Sequence, residues 1–139
     1  MRKLEYYTNC KSDIISKIYR KFLNARYKRL SVKTGIQIGI NSFGKGLALF
    51  HYGSIIVNGT AQFGEFCVVQ SDVNVSAGVR GGNEVYIAPG VKILENIAIA
   101  DNVIIGANAV VCKDIEEPHT SWGGIPAKKI SEKGFEFKM

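Results

Sequence analysis

The sequence contains few histidines and cysteines, only two and three among its 139 residues. Cys10, Cys67 and Cys112 lack the close spacing of zinc ligands, and their odd number fits a reducing compartment. No run of 18 apolar residues is present, so no membrane span is predicted. The first residues are charged and aromatic where a signal peptide needs an apolar stretch. We therefore expect a single cytoplasmic domain without a metal site.

Positive charge is concentrated at the N-terminal end of the chain. Residues 1–34 contain ten Lys or Arg and two acids, a net charge of +8, whereas residues 35–139 contain eight and ten, a net charge of −2. No groove-reading motif accompanies the basic residues, so no nucleic-acid partner is predicted. The charge instead indicates a solvated helix face, or attraction to an anionic membrane surface or glycan.

Residues 1–34 form the predicted N-terminal helical segment. Residues 1–11 are expected to be irregular, and Ser12 or Asp13 can cap a helix that follows. We expect the apolar stripe of this helix to pack on the rest of the chain or on a neighbouring subunit. The alternative is peripheral membrane contact at the inner face of the membrane. The stripe consists of Ile15, Ile18, Tyr19, Phe22, Leu23, Tyr27 and Leu30.

A six-residue period dominates the rest of the sequence. Residues 87–116 read IAPGVK, ILENIA, IADNVI, IGANAV and VCKDIE, with Ile or Val first in every hexad and an apolar residue fifth. The same phase holds at Val57, Phe63, Val69 and Val75. Six residues make one short strand and one turn, and about three such units close a triangular coil that buries its apolar positions only by stacking. The period predicts a parallel β-solenoid over residues 35–116, followed by an exit segment and tail at 117–139.

The phase breaks in two places, where loops on a rigid frame can carry a site. Eight residues separate Leu49 from Val57, so the segment from Phe50 to Ile56 is predicted to bulge. His51 lies in this bulge, where an imidazole on a protruding loop can reach a ligand, which makes it the candidate functional histidine. The second break is AGVRGGN, where Gly81 takes the inward position. His119, in the exit segment, is expected to be structural.

The hexads, the His51 loop, the segment IIVNGTAQFGEFCVV and the exit segment EEPHTSWGGIPAKKI together resemble the hexapeptide-repeat acyltransferases. The most similar branch is that of the serine acetyltransferases, in particular its short forms associated with capsule and exopolysaccharide biosynthesis. This resemblance covers about residues 34–130. It implies an all-β, left-handed parallel β-helix preceded by one short helical segment, an exception to the right-handed crossover rule. It also implies a homotrimer, with acetyl-CoA as co-substrate in sites between subunits.

The resemblance assigns roles to individual residues. His51 matches the family's catalytic base, which removes the proton of an acceptor hydroxyl as its oxygen attacks the thioester. Backbone N–H groups near Gly78 match the site of the thioester oxygen, and Ala107 lies where the family lines the pantetheine arm. The residues of the exit segment that match the part packing along CoA are Gly124, Pro126 and Lys128.

Three departures from the serine acetyltransferase pattern concern the acceptor. Phe50 stands where those enzymes carry Asp, Ile36 stands where an acid orients the base, and AGVRGGN lacks their second histidine. Because the family's residues replaced at Phe50 and in AGVRGGN bind the amine and carboxylate of serine, we expect a neutral sugar hydroxyl of a surface polysaccharide or its precursor as acceptor. The alternatives are O-acetylation of serine and a non-catalytic trimeric scaffold. Zinc hydratases of the same fold are excluded, since they need three histidines.

Overall fold

A computed structural model describes residues 1–135, so the last four residues of the predicted 117–139 segment lie outside the described part. Two helices come first, α1 (Arg2–Asn9) and α2 (Ile14–Thr34). In the described part, neither is long and apolar enough to cross a bilayer. The strands that follow are β1 (Ile36–Ile38), β2 (Ala48–Leu49), β3 (Ile55–Val57), β4 (Gln62–Phe63), β5 (Val68–Val69), β6 (Val73–Val75), β7 (Arg80–Gly81), β8 (Tyr86–Ile87), β9 (Lys92–Ile93), β10 (Ala98–Ile99), β11 (Ile104–Ile105), β12 (Val110–Val111), β13 (Ser121–Gly123) and β14 (Lys128–Ser131).

The first helix corrects the prediction that residues 1–11 are irregular. Leu4 is only 5% exposed, and the carboxylate of Glu5 accepts a hydrogen bond from the Asn41 N–H at 2.8 Å. Arg2 pairs with Glu5 at 3.0 Å and donates to the Phe43 carbonyl at 2.9 Å. An eight-residue helix is marginal on its own. Contacts distant in sequence therefore decide its formation, and a local pattern could not indicate it.

The ends of α2 follow from its capping residues. The Asp13 side chain accepts a hydrogen bond from the Ser16 N–H at 2.9 Å, and this bond lowers the pKa of the Asp13 carboxyl. Of the two predicted caps, Asp13 is therefore the one used. Gly35 ends the helix in the left-handed conformation, with φ of 70°, that glycine adopts at low cost.

Over the first half of α2, the predicted apolar stripe does not pack on the solenoid of the same chain. Ile15, Ile18 and Phe22 are 80%, 66% and 59% exposed. The helix meets the solenoid with another side, where the Tyr27 hydroxyl donates to the Ile38 carbonyl and the Ser31 hydroxyl donates to the Ile36 carbonyl. Because each hydroxyl is matched to a particular backbone carbonyl, these bonds favour the observed rotation of α2 and leave the three apolar side chains outside.

The strands form three sheets that stack as the faces of a prism. Sheet A contains β1, β3, β6, β9 and β12; sheet B contains β4, β7 and β10; and sheet C contains β2, β5, β8, β11, β13 and β14. All neighbouring pairs are parallel except β13 and β14. Ile55 pairs with Val73 and Val69 with Ile87, an offset of 18 residues that equals three hexads. The described chain is thus the predicted parallel β-solenoid.

The core consists of the predicted hexad positions. First-position side chains from Val57 to Val111 are at most 6% exposed, apart from Gly81, and fifth-position side chains from Ala61 to Ile115 are at most 5% exposed. These side chains point into the prism and contact the coils above and below. Burial on this scale removes apolar surface from water at roughly 25 cal/mol per Å², which makes stacking the main stabilising contribution.

The turns between strands also repeat every six residues. In eight consecutive hexads the fourth-position residue adopts the left-handed backbone conformation, with φ between 54° and 79°. Six of these eight residues are Gly, Asn or Asp, the types that tolerate this conformation best. Turn chemistry and core pattern therefore specify the same register. The eight are Phe66, Asp72, Gly78, Glu84, Gly90, Asn96, Asn102 and Asn108.

The first predicted break is a real but shorter bulge. Leu49 pairs with Val69, an offset of 20 residues, and the offset returns to 18 at Ile55 and Val73. Two extra residues therefore lie between Leu49 and Ile55, and strand β3 begins at Ile55 instead of after Ile56. Leu49, although in phase, is 39% exposed, because β2 is the edge strand of sheet C and no further described strand pairs with its outer side.

The second predicted break is a regular coil. Arg80 and Gly81 pair in register with Gln62 and Phe63 on one side and with Ala98 and Ile99 on the other. A Cβ on Gly81 would lie 2.0 Å from Cδ1 of Phe63. The Phe63 ring therefore occupies the space that the inward residue of that coil would fill. Glycine at position 81 makes room for this ring and does not mark a loop.

Stacking continues beyond Glu116, the predicted end of the solenoid. Strand β13 adds to sheet C, where Ser121 pairs with Ile104 and Trp122 with Ile105. The chain then reverses, and β14 pairs antiparallel with β13. The exit segment is therefore fixed against the last full coil by backbone hydrogen bonds.

Cys67 provides a test of this packing. Its thiol is 1% exposed and lies 3.5 Å from the Gly82 carbonyl, and burial raises its pKa to about 11. Ellman's reagent should label the exposed Cys10 and Cys112 rapidly and Cys67 only after unfolding. The unfolded thiol ionises at its ordinary value of 9.0 while the folded thiol keeps its proton. The free energy of unfolding should therefore fall as pH rises from about 9 towards about 11. Rapid labelling of all three thiols in the native protein would contradict the packing.

Candidate active site

The predicted site residues lie along the edges of the prism. At the first edge the chain passes from sheet C to sheet A, through residues 50–54, 70–72, 88–91 and 106–109; residues 124–127, which join β13 to β14, stack on it through hydrogen bonds to Val110, and we call it the His51 edge. At the second edge the chain passes from sheet A to sheet B, through residues 58–61, 76–79 and 94–97; we call it the Gly78 edge. Stacking brings residues about 18 apart in sequence next to one another along each edge.

His51 lies in the bulged loop at the top of its edge. Its side chain is exposed, and among residues 1–135 no side chain forms a hydrogen bond or ion pair with the imidazole. Its neighbours Phe50 and Tyr52 are also exposed, at 58% and 101%. The imidazole is therefore accessible, and nothing within the described chain orients it.

The coil beneath this loop contains a polar side chain that sequence reasoning missed. Gln70 is 5% exposed, and its Nε2 donates to the Tyr86 hydroxyl at 3.2 Å, whereas its Oε1 has no partner. Buried polar atoms are nearly always paired, so this carboxamide is unusual. Gln70 occupies the second position of its hexad, a slot filled by varied residues, and for this reason the pattern gave no signal of burial.

Close backbone contact joins the loop to the same coil. A Cβ on Gly53 would lie 2.7 Å from Cβ of Ser71, and the φ of Gly53 is 145°. Only glycine fits this position without strain. The loop therefore rests directly on residues 70–72, and its glycine fixes how closely it approaches them.

Two charged residues lie next to this contact. Asp72 is exposed on the coil directly below the loop, and Lys92, on the following coil, donates from Nζ to the Asp72 carbonyl at 2.5 Å. The side-chain carboxylate of Asp72 has no hydrogen-bond or ion-pair partner within residues 1–135. A free carboxylate and an ammonium group thus lie close together near the His51 loop.

Ala107 and the exit residues lie further down the same edge. Ala107 is exposed three coils below the loop, which at a strand spacing of about 4.8 Å is on the order of 14 Å away. The Gly124 carbonyl accepts from the Val110 N–H at 3.1 Å, and Pro126 follows a cis peptide bond. The structure therefore brings Ala107, Gly124 and Pro126 into line with His51.

Lys128, at the start of β14, is exposed and has no carboxylate partner among the described residues. Its neighbour differs, because Lys129 contacts Glu117 at 2.5 Å and Glu132 at 2.7 Å. Hydrogen bonds to these carboxylates raise the pKa of Lys129. Of the two adjacent lysines, Lys128 is therefore the one available to an anionic ligand.

Gly78 lies on the other edge of sheet A and does not meet His51 within one chain. Its N–H donates to the Thr60 hydroxyl at 2.9 Å, so this amide is already paired. Its φ is 71°, and a Cβ there would lie 2.2 Å from Oδ1 of Asn96. Strand β6 separates the two edges. His119 lies between sheets B and C, where its N–H donates to the Asp101 carbonyl at 3.3 Å.

Within residues 1–135, no cluster of three His, Cys, Asp or Glu side chains could hold a metal ion.

A protein-family model described as bacterial transferase hexapeptide (six repeats) matches residues 82–113. The chain is a hexapeptide-repeat protein of the serine acetyltransferase-like branch.

Known proteins similar to the chain support this branch. A serine acetyltransferase from Synechococcus elongatus is 32% identical over 110 residues, which are 73% of this chain and 45% of that protein. One from Staphylococcus epidermidis is 34% identical over 116 residues, 73% of this chain and 51% of that protein. The solved serine acetyltransferase from Brucella abortus superimposes with a TM-score of 0.75 at 26% identity, covering 87% of this chain and 52% of that one.

The chain spans roughly half of the length of these relatives, from 45% to 51% in the two sequences above. A polysialic acid O-acetyltransferase shares the fold at 20% identity, with a TM-score of 0.51, covering 76% of this chain and 68% of that one. At that identity the likeness shows the fold alone.

Proposed function

We propose that this protein transfers an acetyl group from acetyl-CoA to a hydroxyl of its acceptor. The observation that carries the proposal is the similarity to serine acetyltransferases over 73% of the chain. The accessible histidine above a continuous edge supports it, because the reaction needs a base beside an extended cofactor. We place the reaction in the cytoplasm, where the three unpaired thiols are stable.

His51 acts as the general base. Its imidazole removes the proton of the acceptor hydroxyl while that oxygen attacks the thioester carbonyl of acetyl-CoA. The tetrahedral intermediate collapses to the acetyl ester, and the proton leaves with the CoA thiol. Transfer is direct, so no covalent acyl-enzyme forms. A positioned base of this kind typically contributes ~10²–10⁴-fold to the rate.

Acetyl-CoA lies along the His51 edge. Ala107 is small and exposed, so the pantetheine arm can approach the backbone there, and Gly124 and Pro126 continue the same line. Lys128 is free to meet a phosphate, whereas Lys129 is held by two carboxylates. A phosphate beside an unpaired ammonium group forms a charge-assisted bond, which favours Lys128 as the phosphate contact.

The complete site needs more than one chain. Gly78 and His51 lie on opposite edges of sheet A, so one chain cannot place both beside the same thioester. In a threefold assembly, the Gly78 edge of one protomer can face the His51 edge of the next. We therefore propose a homotrimer, with a mass in solution of three times 15.2 kDa. The Gly78 N–H must exchange its Thr60 partner before it can bind the thioester oxygen.

Serine is the first acceptor to test, since the relatives favour it over the polysaccharide acceptor expected from the sequence. The loss of charged residues at Phe50 and in AGVRGGN argues against serine as acceptor only if no other charged residues nearby can bind it. Asp72 and Lys92 lie beside the His51 loop and offer a carboxylate for the ammonium group of serine and an ammonium group for its carboxylate.

A sugar hydroxyl is the second candidate. Phe50 and Tyr52 flank His51 and expose their rings, at 58% and 101%. Exposed rings on both sides of a base offer apolar surfaces on which the faces of a sugar can lie. This observation favours a glycan or its precursor if serine fails.

CoA release from acetyl-CoA tests the proposal. The purified protein is given serine and, separately, a panel of oligosaccharides, and free thiol is followed in time. Turnover with serine or with a glycan would establish the activity and decide the acceptor. If no acceptor releases CoA and calorimetry detects no CoA binding, the protein is a scaffold and the proposal is wrong.

Replacing Asp72 tests the serine arrangement. Asp72→Asn keeps the left-handed turn, since Asn tolerates a φ near 58°. Loss of a charged hydrogen-bond partner typically costs ~1.5–3 kcal/mol, so KM for serine should rise about 10- to 100-fold while kcat changes less. N-acetylserine, which lacks the ammonium group, should be acetylated equally by both proteins.

Glu116→Gln provides the matched control, because Glu116 is exposed on the edge between sheets B and C. It should leave KM for serine unchanged. An Asp72→Asn protein with unchanged KM would show that Asp72 does not bind the acceptor.

A further inference from the structure

The outer face of α2 exposes a group of large apolar side chains. Ile14, Ile15, Ile18 and Phe22 are 75%, 80%, 66% and 59% exposed. Residues three and four apart in a helix are neighbours on its surface. Ile14, Ile15 and Phe22 each stand three or four residues from Ile18, so the four form one patch, which we call the apolar patch. The inner side of the same turns is packed, as Ser16 is 8% exposed. Adjacent exposed side chains of this size mark interaction surfaces more often than chance scatter does.

The segment that carries the apolar patch is strongly basic. Residues 1–34 contain ten Lys or Arg and two acids, whereas residues 35–139 have a net charge of −2. Both acids of the segment are engaged, since Glu5 binds Arg2 and the Asn41 N–H, and Asp13 caps α2. Within the described residues, no Lys or Arg of α2 pairs with a carboxylate. The cations nearest the patch in sequence are Lys11, Lys17, Arg20, Lys21 and Arg26.

We propose that this face of α2 binds the surface of an anionic phospholipid bilayer. The helix lies flat, with the apolar patch between the headgroups and the surrounding cations beside lipid phosphates. This combination of an apolar stripe and basic flanks is the pattern of interfacial helices. The net negative solenoid is repelled by the same surface, which favours an orientation with the helices towards the lipid and the prism away from it.

Charge decides between a lipid surface and a second copy of the chain. Two such faces brought together would place two segments of net charge +8 against each other. Their repulsion opposes self-association, whereas an anionic bilayer attracts each cation near its surface. The proposal concerns the N-terminal helices alone and does not depend on acetyl transfer.

Vesicle co-sedimentation with the full chain tests the proposal. The protein should sediment with vesicles of phosphatidylglycerol and phosphatidylcholine but not with phosphatidylcholine alone, and added salt should weaken binding. Each surface cation contributes about fivefold in affinity, so Lys17→Gln with Lys21→Gln should weaken binding about 25-fold. Ile15→Ser with Ile18→Ser should weaken it at least about tenfold.

Matched variants on the solenoid separate this surface from general effects. Lys113→Gln removes an exposed cation and Leu94→Ser removes an apolar side chain that is 44% exposed. Both controls should bind vesicles as the unaltered protein does, and circular dichroism should show that every variant is folded.

Two results would overturn the proposal. One is equal binding, or no binding, to anionic and neutral vesicles. The other is a change in mass by light scattering when Ile15 and Ile18 are replaced, without vesicle binding by the unaltered protein, which would assign the apolar patch to contacts between copies.

Discussion

Replacing His51 by alanine should lower kcat for acetyl transfer by about 10²- to 10⁴-fold. The imidazole is exposed on the bulged loop, and within residues 1–135 no other histidine lies on its edge of the prism. Without it, no described group at that position can remove the acceptor proton near neutral pH. CoA release under saturating acetyl-CoA and acceptor measures the effect.

Two controls make this result specific. His119→Ala removes the only other histidine, which lies between sheets B and C, and should leave kcat unchanged. CoA affinity by calorimetry should be the same in His51→Ala and the unaltered protein, because the proposed CoA contacts lie further down the edge. If His51→Ala keeps full kcat, another group is the base; if it also loses CoA affinity, His51 binds the cofactor instead.

The sequence predicted the solenoid because two independent signals repeat in it. Inward Ile and Val recur every six residues, and left-handed turn residues recur at the fourth position of the same hexads. Each signal is local, so it can be read without knowing which coils become neighbours. The bulge at His51 was visible for the same reason, since two extra residues shift the local phase.

The parts that the sequence could not predict depend on contacts between distant residues. The α1 helix forms because Glu5 binds the Asn41 N–H, and α2 is rotated by bonds from Tyr27 and Ser31 to carbonyls of β1. Helical spacing in the sequence reveals an apolar stripe. It does not show whether hydrogen bonds elsewhere on the helix turn that stripe away from the solenoid. Gln70 is buried by the loop and coil around it, and no property of its hexad shows this.

The arrangement of the site residues could not be predicted for another reason, which is that the proposed site needs residues from more than one chain. Sequence resemblance placed His51, Gly78 and Ala107 in one site, but stacking alone puts Gly78 on a different edge from the other two. The proposed trimer restores the grouping. Likewise, Asp72 is an ordinary fourth-position turn residue in the sequence. Only the stacking of residues 70–72 under the loop reveals its position near His51.

Substitutions at Phe63 and Gly81 should have the largest effects on stability, and they should be coupled. Phe63 is 6% exposed and stacks on Phe43 with ring centroids 4.9 Å apart. Phe63→Ala should lower the free energy of unfolding by about 3–5 kcal/mol, the usual cost of removing a buried aromatic ring. Gly81→Ala should lower it by about 1–3 kcal/mol, because the added Cβ would lie 2.0 Å from Cδ1 of Phe63.

The double variant distinguishes this packing from two separate effects. In the Phe63→Ala background the ring atoms that a Cβ at position 81 would strike are absent, so Gly81→Ala should cost nothing further. The coupling energy should therefore offset the single-variant costs by about 1–3 kcal/mol. Denaturant unfolding at one fixed chain concentration measures it, since assembly adds to apparent stability.

Gly59→Ala is the control, because a Cβ there has no atom within 4 Å, and it should leave stability unchanged or slightly raised. Strictly additive costs would mean that the Phe63 ring can move aside and that Gly81 is not required by packing.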